Sequence, residues 1–465
     1  MPDFAGLRTD TLTWVILAAM TACWVLSVRL IPGWKRDGWT SLLKSLYGFV
    51  WIDFGVDIIL RFSMLAYNAV EWGNHTLRLV AQPVSTVNTT LEYSALFWLL
   101  LASAYALMVR RRGPGPLAVT RSFSPDFAYA AAIPFALLAS VIFYLIEGDS
   151  HLPLVLITPL SLVANLYMVP AVLVWWDHFR RPVPIWQIGT VHLVVLLPAL
   201  VRGVCSPYRE NLAPIFLIPL IAAVFAGKRP SFWKAVPAAL LCLLVLSVGV
   251  KSYRRIKWEN VRPADVAGEF RQGGIVDWIS SGSEEPLQRF HGFDSFLLTV
   301  ALVPSMEPHS GRNVLLSPLI RGVVPRFIYG DKSGADAGLS FGARIWAFDD
   351  PAIRGKFGAS IAPSMPGDLF DAGGVLYIAL GALIWGSLLG LIDGWKGHLP
   401  SFLGAAVTVL VATQCAMSVE RDFDNSVATF IQTLLVFVLA AGVVALARRR
   451  DTGYSFGLRP GLERS

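Results

Sequence analysis

Arginine is the residue type that could do chemistry in this chain. Arg202 precedes the short stretch CSPYRENLAP, and Arg209 and Glu210 lie within it. Arg254 and Arg255 come next, and Arg289 and His291 begin RFHGFDSFLLTVALVP. Arg321, Arg326, Asp331, Lys332 and Arg344 lie in or beside VVPRFIYGDKSG, and Glu420, Arg421, Asp422 and Asp424 crowd the stretch ERDFDN. A guanidinium presents planar, paired N–H donors and keeps its charge when partly desolvated, which suits phosphate. Several such groups at one face of a protein point to an anionic, pyrophosphate-bearing ligand. The ordinary fate of a single surface arginine is contact with solvent or lipid headgroups. Arg289, Arg321 and Arg326 differ in that each abuts an apolar run.

The elements that must position these residues are membrane helices. Hydrophobic residues make up 55% of 465 positions and charged residues 15%, and the mean hydropathy is +0.57, far above that of a soluble domain. Crossing about 30 Å of hydrocarbon at 1.5 Å per residue takes roughly 17–25 mostly apolar residues. Eleven segments qualify: 12–31, 40–62, 91–109, 126–146, 152–176, 184–203, 212–227, 233–250, 372–393, 399–418 and 425–447. The expected fold is therefore all-α, a polytopic membrane helix bundle of about 11 transmembrane helices.

Basic residues occupy alternate connections: Lys35 and Arg36, Arg110 to Arg112, Arg180 and Arg181, Lys228 and Arg229, and Arg448 to Arg450. The positive-inside rule makes these cytoplasmic, with the N-terminus outside, the first apolar segment retained and the C-terminus inside. The net charge of +7 is then a topology signal and not a nucleic-acid footprint.

The predicted organisation is a bundle of about eight helices over 1–250, a large outer loop over 251–371, about three helices over 372–447 and a cytoplasmic tail, 448–465. The loop carries fourteen Lys/Arg and fourteen Asp/Glu, so it is neutral and free to be translocated. Two pieces of it, Phe290–Pro304 and Arg312–Val324, have near-helical apolar spacing but are too short to span. They are expected to be short helices lying against the outer membrane surface. Within the second segment Asp53, Asp57 and Arg61 fall at i, i+4 and i+8, with Lys44 nearby. Such a face is either an ion-pair ladder that stabilises the bundle or the wall of a substrate cavity or proton path. The chain lacks GxGxxG, a P-loop and HExxH, so it carries no signature of nucleotide-driven or zinc chemistry. Its four cysteines follow no metal or disulfide spacing, and neither a metal nor a cofactor is expected.

Three stretches in order carry a family resemblance. Arg289-Phe290 precedes an apolar run, Pro325-Arg326 is followed by Tyr329 and Lys332, and Gly367-Asp368 with Phe370, Gly373 and Gly374 leads into a span. Over about 90 residues this resembles the outer loop of bacterial O-antigen polymerases of the Wzy type, the oligosaccharide repeat-unit polymerases, with Tyr329-Gly330 in place of their Trp-Pro. The resemblance implies a C-type glycosyltransferase-like enzyme of the bacterial inner membrane. Its donor and acceptor would be undecaprenyl-pyrophosphate-linked glycans, and its products O-antigen or exopolysaccharide. It implies Arg289, Arg326, Arg202, Arg209, Arg321, Arg421 and Lys332 as pyrophosphate ligands. Glu420, Glu210 and Asp331, in that order, would be base candidates, and Tyr329, Phe327 and Trp346 would be sugar-stacking or interface aromatics. The partners implied are the lipid bilayer and a chain-length-determinant protein. Two alternatives stay open: an O-antigen ligase passing glycan to a lipid A core, and a proton-coupled secondary transporter using Asp53 and Asp57.

Overall fold

The computed structural model describes residues 10–66, 83–112, 125–147, 152–180, 185–205, 209–229, 292–305, 307–324, 363–399, 401–418 and 422–453, with isolated positions between 231 and 268. The regular structure among these residues is all helix, with no strand. In chain order the helices are α1 (Thr11–Ser27), α2 (Trp34–Asp37), α3 (Thr40–Lys44), α4 (Leu46–Ala66), α5 (Val84–Arg112), α6 (Pro125–Glu147), α7 (Leu154–Asn165) and α8 (Met168–Arg180). They continue with α9 (Ile185–Val194), α10 (Leu197–Cys205), α11 (Ala213–Phe225), α12 (Gly292–Leu302), α13 (Ser317–Val323), α14 (Met365–Lys396), α15 (Ser401–Ser418) and α16 (Phe423–Gly453).

Helix covers ten of the eleven apolar segments; the eleventh, 233–250, lies outside the described residues. Only four described stretches are both long and apolar enough to cross a membrane unaided: Thr11–Leu30, Val84–Arg110, Pro159–Arg180 and Met365–Lys396. Several of the expected segments are divided. The expected second span breaks at Ser45, whose backbone is extended between α3 and α4. Segment 152–176 turns at Leu166–Tyr167, and segment 184–203 turns at Val195–Leu196 just before Pro198. The bundle still wears an apolar coat. On α6, Phe135, Leu138, Val141 and Tyr144 are 46–60% exposed, a face that only hydrocarbon or another apolar surface can accept.

The break at Ser45 shows why such irregularity survives among apolar helices. Backbone groups freed at membrane depth need partners from protein. Here the Asp393 carboxylate, on α14, accepts the backbone N–H of Leu46 at 3.0 Å, the Ser45 hydroxyl at 2.8 Å and the Tyr105 hydroxyl at 2.8 Å. Lys396, one turn on, pairs with the same carboxylate at 2.7 Å and donates to the Lys44 carbonyl. Gly48 is required beside the break, since a Cβ there would sit 2.1 Å from the Leu42 carbonyl oxygen. Lys44 therefore does not share a helix with Asp53, Asp57 and Arg61. It lies on α3 and pairs with Asp37 at 3.1 Å, while the Arg61 side chain lies outside the described residues.

Helix α14 is the axle of the fold. Gly386 and Gly390 face α5, where a Cβ would meet the Leu101 carbonyl at 2.2 Å and the Tyr105 carbonyl at 2.8 Å, so the two backbones touch. The helix begins at Met365, earlier than expected, which makes Gly367-Asp368 helical rather than part of the loop. It does not run straight. Gly373 and Gly374 are non-helical, and Gly374 has φ +71°, a conformation that favours glycine. In a straight helix Leu369 and Gly381 would be about 18 Å apart, yet the Leu369 side chain lies against Gly381. Residues 365–372 are thus folded back along the spanning part.

The two amphipathic pieces have different fates. On α13, Leu319, Ile320 and Val323 are 39–59% exposed while Pro318 and Gly322 are buried, as a helix lying at the bundle surface requires. Helix α12 is not on the surface. Ser295 to Thr299 are buried in succession, around all sides of the helix, and α12 packs on α14 and α5.

Candidate functional site

The doubling-back of α14 creates a buried polar cluster inside an apolar bundle. A helix that stops at Gly373 leaves its last carbonyls without partners, and the segment after α12 supplies them. The Ser310 N–H and hydroxyl donate to the Asp371 carbonyl, at 2.8 and 3.3 Å, and the His309 ring Nδ1 lies 3.0 Å from the Phe370 carbonyl. A side chain at Gly374 would press on the His309 ring, at 3.4 Å. Docking this segment delivers Arg312. Its guanidinium pairs with Asp368 and lies 3.6 Å from Asp371.

Asp368 is fully buried and serves two helices. Its Oδ1 meets Arg312, and its Oδ2 accepts the N–H groups of Phe423 and Asp424, at 3.0 and 3.3 Å, at the start of α16. Asp422 caps the same helix, accepting the Asn425 N–H at 2.6 Å and its side-chain amide at 2.8 Å. Asp424 pairs with Arg321 of α13 and accepts the Ser317 hydroxyl at 2.9 Å. Carboxylates belong at a helix N-terminus, where free N–H groups and the macrodipole favour negative charge.

Four buried carboxylates, Asp368, Asp371, Asp422 and Asp424, thus surround two guanidiniums, with Arg312 a third exposed and Arg321 11% exposed. Charges this deep persist only when paired and hydrogen-bonded. The excess of acid is felt at Asp422, whose carboxyl is pushed up to about 6. Burial is the main cause and the neighbouring Asp368 charge the second, opposed by the Asn425 bonds and by Arg312. Such a group takes up and gives up a proton near neutral pH. Among the described residues no set of three or more His, Cys, Asp or Glu is disposed to hold a metal ion.

Of the residues picked out from sequence, Arg321, Asp422 and Asp424 lie in this network, as does Asp368 of the resembling stretch. Arg202, on α10, lies elsewhere. Its guanidinium is 3.6 Å from Glu147, donates to Asn165 at 3.4 Å and covers the Phe143 ring at 4.9 Å. With Tyr167, Asn211, Gln414 and Thr429 it lines a separate polar cavity of about 60 Å³. Thr429 is seven residues along α16 from Asp422, about 10 Å of helix rise, so the two clusters share that helix. Arg209 and Glu210 form part of a 3-10 turn, Arg209–Leu212, whose first side chains lie outside the described residues. Also outside them are Glu420, Arg421, Arg289, Arg326, Asp331, Lys332, Phe327, Tyr329 and Trp346.

Arg312, Asp371 and His309 went unremarked as chemistry in the sequence. A signal existed for the acids: Asp368 and Asp371 stand at i, i+3 on one helix face, immediately before a Gly-Gly pair. Arg312 and His309 had none, because only the fold brings them to α14. Compared with protein-family models, curated proteins and solved structures, the chain matches none.

Proposed function

We propose that the chain is a membrane glycosyltransferase that joins undecaprenyl-pyrophosphate-linked repeat units into a polysaccharide at the outer face of the bacterial inner membrane. In this reading all eleven apolar segments cross the bilayer. One observation carries it: the stretch 367–374, one of the three that resemble the polymerase loop, is built into a buried charged cluster in which Asp368 holds Arg312 and the start of α16. The other two resembling stretches adjoin the same elements in sequence. Arg289 precedes α12 by three residues, and Arg326 follows α13 by three.

The chemistry asked of the residues beside this cluster is limited. The acceptor hydroxyl oxygen forms a bond to the anomeric carbon as the bond from that carbon to the pyrophosphate oxygen breaks. The electron pair leaves on the pyrophosphate, and the hydroxyl proton goes to a carboxylate. Arg289 and Arg326, supported by Arg202, Arg209, Arg321, Arg421 and Lys332, would hold the developing phosphate charge. Glu420, two residues before the cap Asp422, leads Glu210 and Asp331 as the base. Asp368, Asp422 and Arg312 act through position, fixing where the flanking residues emerge.

Purified protein in nanodiscs, given an undecaprenyl-pyrophosphate-linked repeat unit and no nucleotide, should form a ladder of chain lengths. A glycan that moves only when a lipid A core is added would replace polymerase with ligase. A ladder undiminished in Arg326→Ala would sink the assignment of that arginine.

A further inference from the structure

At the opposite end of α14 lies a cavity of about 900 Å³ that the proposed reaction does not use. Three long apolar helices run to it: α1 through the 3-10 turn Val28–Leu30, α5 near Arg110, and α14 at Lys396. Its roof is the loop after α1, which reverses at Gly33 in the left-handed conformation, φ +76°. Six cations line it, Arg29, Lys35, Arg36, Lys44, Arg110 and Lys396, against two acids, Asp37 and Asp393.

Both acids are already committed. Asp37 takes Arg36 and Lys44, each at 3.1 Å, and Asp393 takes Lys396 at 2.7 Å. Arg29, Lys35 and Arg110 have no acidic partner among the described residues, and all three are exposed. Between the cations the walls are apolar, with Ile31, Trp34, Val109 and Phe225 among them. An apolar slot with a rim of uncommitted positive charge, at the ends of membrane-crossing helices, is complementary to an amphiphile with an anionic head.

We infer that this cavity is a binding site for an anionic glycerophospholipid, with the phosphate held by Arg29, Lys35 and Arg110 and the upper acyl chain against Ile31, Trp34 and Phe225. The alternative source of the same charge is free phosphate, which has no use for the apolar walls. The inference stands apart from the polymerase reading, and its test measures binding only.

Full-length protein would be exchanged into detergent with phosphatidylglycerol or phosphatidylcholine, and the lipid retained measured by native mass spectrometry. Wild type should keep phosphatidylglycerol selectively. The triple variant Arg29→Gln, Lys35→Gln, Arg110→Gln should retain it at least about tenfold less well, while Lys228→Gln with Arg229→Gln, exposed cations beyond the end of α11, should match wild type. Equal loss in both variants would reduce the effect to general surface charge and overturn the site, as would undiminished retention in the triple variant. Inorganic phosphate competing as well as phosphatidylglycerol would overturn the lipid assignment. Should the triple variant not fold, a photoreactive phosphatidylglycerol on wild type decides: adducts within 28–37 and 106–110 support the site, and adducts confined elsewhere refute it.

Discussion

The two ends of α14 treat charge in opposite ways. At its start, four buried carboxylates and two guanidiniums are locked together, and the acids also serve the N–H groups of α16. At its finish, six cations meet two carboxylates, and three of the cations stay uncommitted at the surface of a wide cavity. Buried charge at the first end is part of the scaffold. Exposed charge at the second end is available to something else. Removing a charged group should therefore damage the fold at the first end, whereas removing an uncommitted cation at the second should leave it untouched.

The largest effect expected is for Asp368→Ala. It removes the nearer carboxylate of Arg312 and leaves two backbone N–H groups unsatisfied, and breaking a buried pair this way costs about 3–5 kcal/mol, read as a large drop in thermal midpoint in detergent. A midpoint within error of wild type would dissolve the distinction between the two ends.

Asp393→Ala should come next, at about 1–3 kcal/mol for the N–H of Leu46 left unsatisfied, with Asp393→Asn milder because its oxygen still accepts. Equal loss in the two variants would mean that the charge of Asp393, rather than its role as acceptor, matters.

Asp422 supplies a pH test of comparable or smaller size. Its folded-state carboxyl titrates at about 6, against the ordinary 3.8, so between pH 4 and 6 the folded protein holds the proton more tightly than the unfolded chain. Stability should fall as pH rises through that window and level off above it, by on the order of 1–3 kcal/mol. Asp422→Asn should flatten this part of the profile, and an unchanged profile would remove Asp422 as its source.

The smallest effect belongs to the far end. Arg110→Gln and Arg36→Gln should leave the thermal midpoint where it is in phosphatidylcholine, because exposed cations contribute little to folding. A clear drop in either would show that this end too is scaffold.

How much of this was legible in the sequence differs by element. Helical content and the positions of apolar segments followed from hydropathy, because burial in hydrocarbon leaves backbone few options. The interruptions did not. Ser45 sits in an ordinary apolar run, and the residue that stabilises its break is Asp393, distant in sequence. The fold-back of α14 left a hint in Gly373-Gly374, yet the segment read as continuous because the composition of DLFDAGGVLYIAL suits either shape. Helix α12 looked amphipathic, but its Ser295 and Thr299 are small enough to be buried among helices, and the Thr299 hydroxyl satisfies itself on the Ser295 carbonyl at 2.6 Å. In the candidate site, arginine content flagged Arg321, whereas Arg312 is placed solely by the docking of residues 309–312 on the break.

The capping of Leu46 by Asp393 also dates the assembly of the molecule. The two residues are separated by 347 positions, which at 5–20 residues per second is roughly 20–70 s of synthesis. Throughout that interval the newborn segment 40–66 has only its own carbonyls to offer the N–H of Leu46, and an unbroken helix satisfies it. The bend is thus imposed late, by the arrival of roughly the last fifth of the chain, and a ribosome stalled before α14 would leave a bundle whose second segment is still straight.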